Sequence, residues 1–252
     1  MNKSIAILLV LVGAVSPAAH AGVTFFVNNS AGFTAAATGL TFKGTEAWEE
    51  STLAGGNIAL VSDSLVPGVA NSVFTTGSLT TVGITAQSNT LGSAAATLSP
   101  RGASGLATAS LGYVGTPSDQ LSPNSPNDSF DLIMSSGGAV SLNPTYYDFT
   151  ATGPTDKLGT VVIKVYDTSN VLLGTQTMNN VGYNEVPFLG MVATGGSQIG
   201  RINLWGLTNP TNSTAGADNI SVFIPEPSSA VFVLFSGVVG LLFQKQRSKQ
   251  SL

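Results

Sequence analysis

Thr160-Val-Val-Ile-Lys-Val-Tyr-Asp167, followed by Ser169-Asn170 and Val171-Leu-Leu-Gly-Thr-Gln-Thr177, decides the class of this fold. Val161, Ile163 and Val165 repeat with a period of two and Lys164 stands opposite them, the pattern of a strand with one buried face. Ser169-Asn170 is turn chemistry, so Val171–Thr177 returns antiparallel. The pattern continues on both sides. Ser129–Met134, Phe188–Ala193, Ile199–Gly206 and Ala217–Ile224 read as strands, with Ile202 and Leu204 opposing Arg201, Asn203 and Trp205. Val140–Leu142 and Tyr146–Thr150 read as a pair, or as one bent strand broken at Pro144. Toward the start, Val23–Asn28, Leu40–Lys43, Ile58–Val61 and Thr80–Thr85 are strand candidates, and Phe33–Thr38 makes one or two helical turns before Gly39. Ser122-Pro-Asn-Ser-Pro-Asn127 reads as loop, and 88–110 as weak strands or loop. Many short strands, glycine-rich turns and no long helix predict an all-β fold: an antiparallel β-sandwich of jelly-roll type.

Both flanks differ from this body. Lys3 precedes Ile5-Ala-Ile-Leu-Leu-Val-Leu-Val12, then Pro17 and Ala19-His20-Ala21. That is a basic n-region, a short apolar helix and an A-x-A site, so residues 1–21 read as a signal peptide cut after Ala21. Export machinery of the Sec type and a signal peptidase are the implied partners. At the other flank stand Pro225-Glu226-Pro227, an uncharged apolar run from Ala230 to Phe243, and the basic residues Lys245, Arg247 and Lys249. Two prolines make an extended joint. The run predicts one transmembrane helix over about 229–243, close to the lower length limit for spanning. The basic residues hold its end in the cytoplasm and leave the β-domain, 22–224, outside.

The order Pro-Glu-Pro, short apolar helix, basic end resembles the PEP-CTERM sorting signal of bacterial exported proteins. The resemblance covers 225–252. It implies handling by an exosortase, a membrane transpeptidase-like enzyme acting near Pro225-Glu226-Pro227, in an exopolysaccharide-producing bacterium. Gln244, Gln246 and Ser248 interrupt the basic residues and Gln250–Leu252 follow them. The alternative is a plain single-pass anchor. On either reading the protein is exported and membrane-anchored at first; the resemblance then implies a place at the cell surface or in the matrix. A looser resemblance, by strand pattern over Asp128–Ile224, is to carbohydrate-binding-module and galactose-binding-like jelly rolls.

Between the flanks, five Lys or Arg residues stand against twelve carboxylates, which argues against nucleic-acid binding. Cysteine is absent, and the one histidine, His20, lies in the predicted leader. A chain cut after Ala21 therefore lacks Ser-His-Asp and Cys-His nucleophiles, thiol chemistry and His-ligated zinc. Paired carboxylates and oxygen-ligated calcium remain open. The reading is a non-enzymatic protein associated with exopolysaccharide; the alternatives are a carboxylate-based polysaccharide hydrolase and a purely structural surface scaffold.

Three sets of residues carry what chemistry remains. Asp218 is in phase with Ile220, Val222 and Ile224, so its carboxylate needs Arg201, a cation or several donors. Jelly rolls of the resembled kind often hold a structural calcium between an early acidic segment and an aspartate entering the last strand. That implies Asp218 with Glu46 and Glu49; the alternative is local capping of backbone N–H groups. Asp128 and Asp131, three apart in a strand, point to opposite faces and make a poor acid–base pair. Trp205 and Trp48 are candidates for stacking on a sugar ring, with Trp205 the one placed outside the core.

Overall fold

The computed structural model describes residues 20–48, 58–60, 64–70, 74, 79–90, 106–110, 119–123, 128–148, 158–182, 187–208 and 213–226. The predicted leader up to Ala19, Glu49, Pro227, the predicted membrane helix and the basic residues Lys245, Arg247 and Lys249 lie outside them. Among the described residues no helix is long and apolar enough to cross a membrane.

The elements are β1 (Gly22–Val27), α1 (Ser30–Ala36), β2 (Leu40–Glu46), β3 (Ile58–Leu60), β4 (Ser64–Leu65), β5 (Ile84–Thr90), β6 (Leu106–Ser110), β7 (Asp119–Pro123), β8 (Asp128–Gly137), β9 (Ala139–Asp148), β10 (Gly159–Asp167), β11 (Leu172–Val181), β12 (Leu189–Thr194), β13 (Ile199–Gly206) and β14 (Ser213–Pro225). They form two antiparallel sheets. One is ordered β1-β12-β9-β14-β7-β6-β3, with β2 also on β14; the other is β11-β10-β13-β8-β5-β4. Val161, Ile163, Val165, Ile202, Leu204, Phe130 and Leu132 from the second sheet meet Val140, Leu142, Tyr146, Met191 and Val222 from the first in one core. The all-β sandwich expected from strand periodicity is the fold observed.

The β10–β11 hairpin forms as its sequence requires. Asp167 Oδ1 accepts the N–H groups of Ser169 and Val171, and Asn170 takes the left-handed conformation at φ 63°, which Asn tolerates better than most residues.

Four readings change. Ser122 and Pro123, expected in a loop, end strand β7 (Asp119–Pro123), paired with β6; pairing with β6 and β14 overrides their turn-forming composition, and the rest of the expected loop, 124–127, lies outside the described residues. Thr80–Gly83 is a turn and the strand starts only at Ile84. Leu79 N–H is held by Glu46 and Gly83 N–H by Leu79 O, so β-branched composition loses to fixed turn contacts. β9 runs unbroken through Pro144. Tyr146 N–H points away from β14, to Gly182 O, so two residues earlier the N–H that proline lacks points the same way. There β12 has already ended at Leu142, and no ladder bond is lost. Lastly, Asp218 is out of phase with Ile220. Asp218 pairs with Asn143 and Ser221 with Ser141, so three steps oppose two: a β-bulge at Asn219, φ 50°.

A smaller apolar cluster covers the other side of the larger sheet. Phe33 of α1, N-capped by Asn29, packs edge-on against Phe26, Phe188 and Phe223. Within the core, Tyr146 lies flat against backbone: a Cβ on Gly159 would sit 2.3 Å from its ring. Its hydroxyl donates to Thr208 O, and burial raises its pKa above the usual tyrosine value. Gly159→Ala should therefore cost about 1–3 kcal/mol by overpacking, read as a lower urea midpoint with an unchanged m-value. An unchanged midpoint would show that the ring has room to move.

Candidate functional site

The inner faces of the six-stranded sheet are apolar, so strand alternation puts its polar residues on the outer face. Registers set them in rows. Thr175, Lys164, Asn203, Asp131 and Gln87 are successive cross-strand partners over β11, β10, β13, β8 and β5. A neighbouring row holds Thr177, Val162 and Trp205. The rows divide into a buried half and an open half.

The buried half is a charge pair held in amides. Arg201 Nη1 lies 3.2 Å from Asp131 Oδ1, with the two side chains 3% and 0% exposed. Asn203 donates to Asp131 Oδ1 at 2.8 Å and Asn89 to Oδ2 at 2.6 Å. Arg201 Nε donates to Asn170 in the β10–β11 turn at 2.9 Å, and its guanidinium carbon lies 3.8 Å from the centre of the Tyr166 ring. Burial pushes the Asp131 carboxyl above its ordinary value, opposed by the hydrogen bonds from Asn203 and Asn89 and by the charge of Arg201. Tyr166 is also raised by burial, against the same cation. Gln87 Nε2 and Asn203 Oδ1 are buried with no hydrogen-bond partner among the described residues, a geometry that suits ordered water.

The open half lies on β10, β11 and the end of β13. Trp205 is half-buried, outside the core, and Lys164 Nζ sits 4.4 Å from its ring centre. Thr175, Thr177 and Asn179 are exposed beside it. Thr177 and Asn179 continue into a cleft of about 500 Å³ whose other described walls are Val27, Asn28, Met178, Asn180 and Pro187. Among the described residues no ionisable group lines it. Asn28 Oδ1 accepts Phe188 N–H and Asn179 Oδ1 accepts the Thr160 hydroxyl, so these amides have N–H groups left to offer. A ring with an apolar face beside neutral donors and acceptors suits a hydroxyl-rich ligand.

The two tryptophans part company. Trp48 is fully buried in the core, its Nε1 donating to Ala217 O at 3.0 Å; it has no face for a sugar, and nothing in its local composition signals its left-handed backbone at φ 59°. Glu46, 4% exposed, accepts the N–H groups of Trp48 and Leu79. Asp218 accepts the N–H and amide of Asn219 at 2.6 and 2.8 Å. Asp218 thus caps its own neighbour, whereas Glu46 ties the adjacent Trp48 to the distant Leu79 turn. Arg201 serves Asp131, not Asp218. Among the described residues no group of three or more His, Cys, Asp or Glu side chains comes together. The cleft residues Asn28, Asn179 and Asn180 were not singled out from sequence; the Thr175-x-Thr177-x-Asn179 alternation was the available signal.

No protein-family model and no curated protein matches the sequence. Among solved structures, the chain is similar to an endo-1,4-beta-D-xylanase 10B of Clostridium thermocellum, CBM22-1 and GH10 modules complexed with xylohexaose, at 7% identity and TM-score 0.31, over 75% of this chain and 29% of that one. It is similar to the CBM22-1 xylan-binding domain of a Paenibacillus barcinonensis xylanase at 13% identity and TM-score 0.32, over 70% of this chain and 100% of that one. A CBM29-2 mutant complexed with cellulohexaose aligns at 13% identity and TM-score 0.27, over 55% and 91%. At these scores the likeness carries no argument, and the chain's own geometry has to.

Arg201→Met should leave Asp131 buried without its cation and cost about 3–5 kcal/mol, most of it restored by adding Asp131→Asn. Because Asp131 is raised in the native state, its proton favours folding below its ordinary value of 3.8, and that contribution is lost as pH rises through the raised value. Asp131→Asn should remove this component from the stability–pH curve; a curve of the same shape would contradict the placement of Asp131.

Proposed function

We propose that this chain is a non-enzymatic, exported polysaccharide-binding protein, delivered through a C-terminal sorting signal of the PEP-CTERM kind. The observation that carries the binding role is the half-exposed Trp205 with Lys164 against it, set beside Thr175, Thr177 and Asn179 and running into a cleft whose described lining residues are all neutral. Stacking on the indole would supply affinity. The hydroxyls and amides would supply orientation. Exopolysaccharide of the producing cell is the expected ligand.

The non-enzymatic reading is favoured by the state of the carboxylate closest in register to this face. Asp131 is fully buried and saturated with donors, whereas a general acid or base must reach its proton through hydrogen-bond distance of the substrate. The sorting reading is supported by continuity. The folded body starts at Gly22 and its last strand ends at Pro225, with Glu226 exposed, so the body fills the interval between the two predicted processing sites. The mature product would be free of both flanks, at the cell surface or in the matrix.

Trp205→Ala should weaken retention on the matrix polysaccharide about tenfold, equivalent to 1.4 kcal/mol, while Trp205→Phe retains most of it. Equal retention by Trp205→Ala would place the ligand elsewhere on the chain, and no retention of the unsubstituted chain would leave a scaffold without glycan affinity. Release of reducing ends from the polysaccharide, abolished by one carboxylate substitution, would instead establish a hydrolase. Mass spectrometry of the product from the native host should find loss of everything after the Pro225–Pro227 region. A C-terminus at Leu252 would leave a plain membrane anchor.

A further inference from the structure

The two ends of the sandwich are chemically different. Gly22 of β1 pairs with Thr194, Leu40 of β2 with Pro225, and Ala139 with both Val192 and Phe223. Gly138 passes the chain from β8 to β9 across the sheets at that same end, where Gly137 opposes Ile199 and Ile199 opposes Asp167. The first strand therefore enters and the last strand leaves at one end, here the exit end. The β10–β11 turn lies there, and so does the segment after β4, which runs past the Ile84 end of β5. Trp205 and the cleft belong to the opposite end, near Gly206 and Val181.

Exposed apolar side chains gather at the exit end. Phe42, Val66, Val69, Val171 and Leu172 are each between 49% and 59% exposed. Val27, Leu158 and Leu207 are the large apolar residues exposed elsewhere among the described residues, at 40–47%. The tips are held in place. Phe42 leans on Phe223 with ring centres 5.2 Å apart, Val69 N–H bonds Val66 O at 3.2 Å, and Val171 N–H bonds Asp167. Lys43, exposed next to Phe42, adds a cation. Among the described residues, the anionic groups at this end are Glu226, at the exit itself, and Asp167, whose carboxylate is engaged by the turn.

We infer that the exit end is a membrane-docking surface, resting its apolar tips on a phospholipid bilayer while the chain is tethered. This rests on the sorting reading, in which the apolar run from Ala230 enters the bilayer. Glu226 and Ala230 are four residues apart, a span of at most about 14 Å. So short a link keeps the exit end at the interfacial zone. Water facing five apolar side chains there would be replaced by lipid, and Lys43 would meet anionic head groups. Docking end-on would hold Pro225-Glu226-Pro227 at the bilayer surface and aim Trp205 away from it.

The chain contains no cysteine, so one introduced cysteine is a unique label site. Full-length Val171→Cys, Val69→Cys and, at the far end, Asn179→Cys would each carry a nitroxide, with the chain reconstituted in phosphatidylethanolamine–phosphatidylglycerol vesicles. Docking predicts that labels at 171 and 69 collide several-fold more with lipid-dissolved oxygen than with an aqueous nickel chelate, and that 179 shows the reverse. Chains that float with the vesicles while all three labels stay in water overturn the docking surface alone. Labels at 171 and 69 shielded from both reagents indicate a protein partner or a second copy, and overturn it too. Chains that do not float overturn the tether and the docking surface together.

Discussion

The bulge at Asn219 is the constraint on which the sandwich depends. β14 is paired with β9 along one edge, and with β7 and then β2 along the other. Ala215 and Ala217 face the core, and so do Ile220 and Val222, although odd and even positions of an unbroken strand face opposite ways. One extra residue resets the phase. Without it, the second half would turn its isoleucine and valine outward, and burying each contributes roughly 1.5–3 kcal/mol. Asn219 can take the left-handed conformation, and Asp218 satisfies its N–H and amide on the spot. The same step brings β2 into register, so that Glu46 can hold Trp48 and the Leu79 turn against the core.

A protein with no cysteine to cross-link it must keep its layers together by packing. Here the two sheets share one apolar core, and polar chemistry is pushed to the outer face of the smaller sheet. Part of that chemistry is structural: the Asp131–Arg201 pair joins β8, β13 and the β10–β11 turn. The remainder, at the open edge, is where a ligand has access. The Trp205 end and the exit end lie at opposite poles of the strands, which is the arrangement the proposed tethered, outward-reaching domain requires.

The strands that sequence made legible are those where one face alone was apolar, such as Thr160–Asp167 and Ile199–Gly206. Alternation also placed Trp205 correctly outside the core. What failed was whatever depends on partners distant in sequence. Pro144 reads as a breaker until the missing edge neighbour is known. Ser122-Pro123 reads as loop until β6 lies beside it. Asp218 was assigned to the wrong face because a bulge changes phase without changing composition. Arg201 and Asp131, seventy positions apart, carry no mutual signal in the chain. The cleft was invisible for the same reason, since β1, β11 and Pro187 meet only in three dimensions.

The two tryptophans allow the central claim to be tested directly. Trp48 is fully buried and Trp205 is half-exposed, so acrylamide should quench the fluorescence of Trp205 alone. A polysaccharide seated on the open face predicts that matrix polysaccharide protects this quenchable component as binding saturates, while Trp48 stays unquenched throughout. Quenching of Trp205 that is unchanged at polysaccharide concentrations where the protein is demonstrably retained would place the ligand elsewhere and contradict the assigned site.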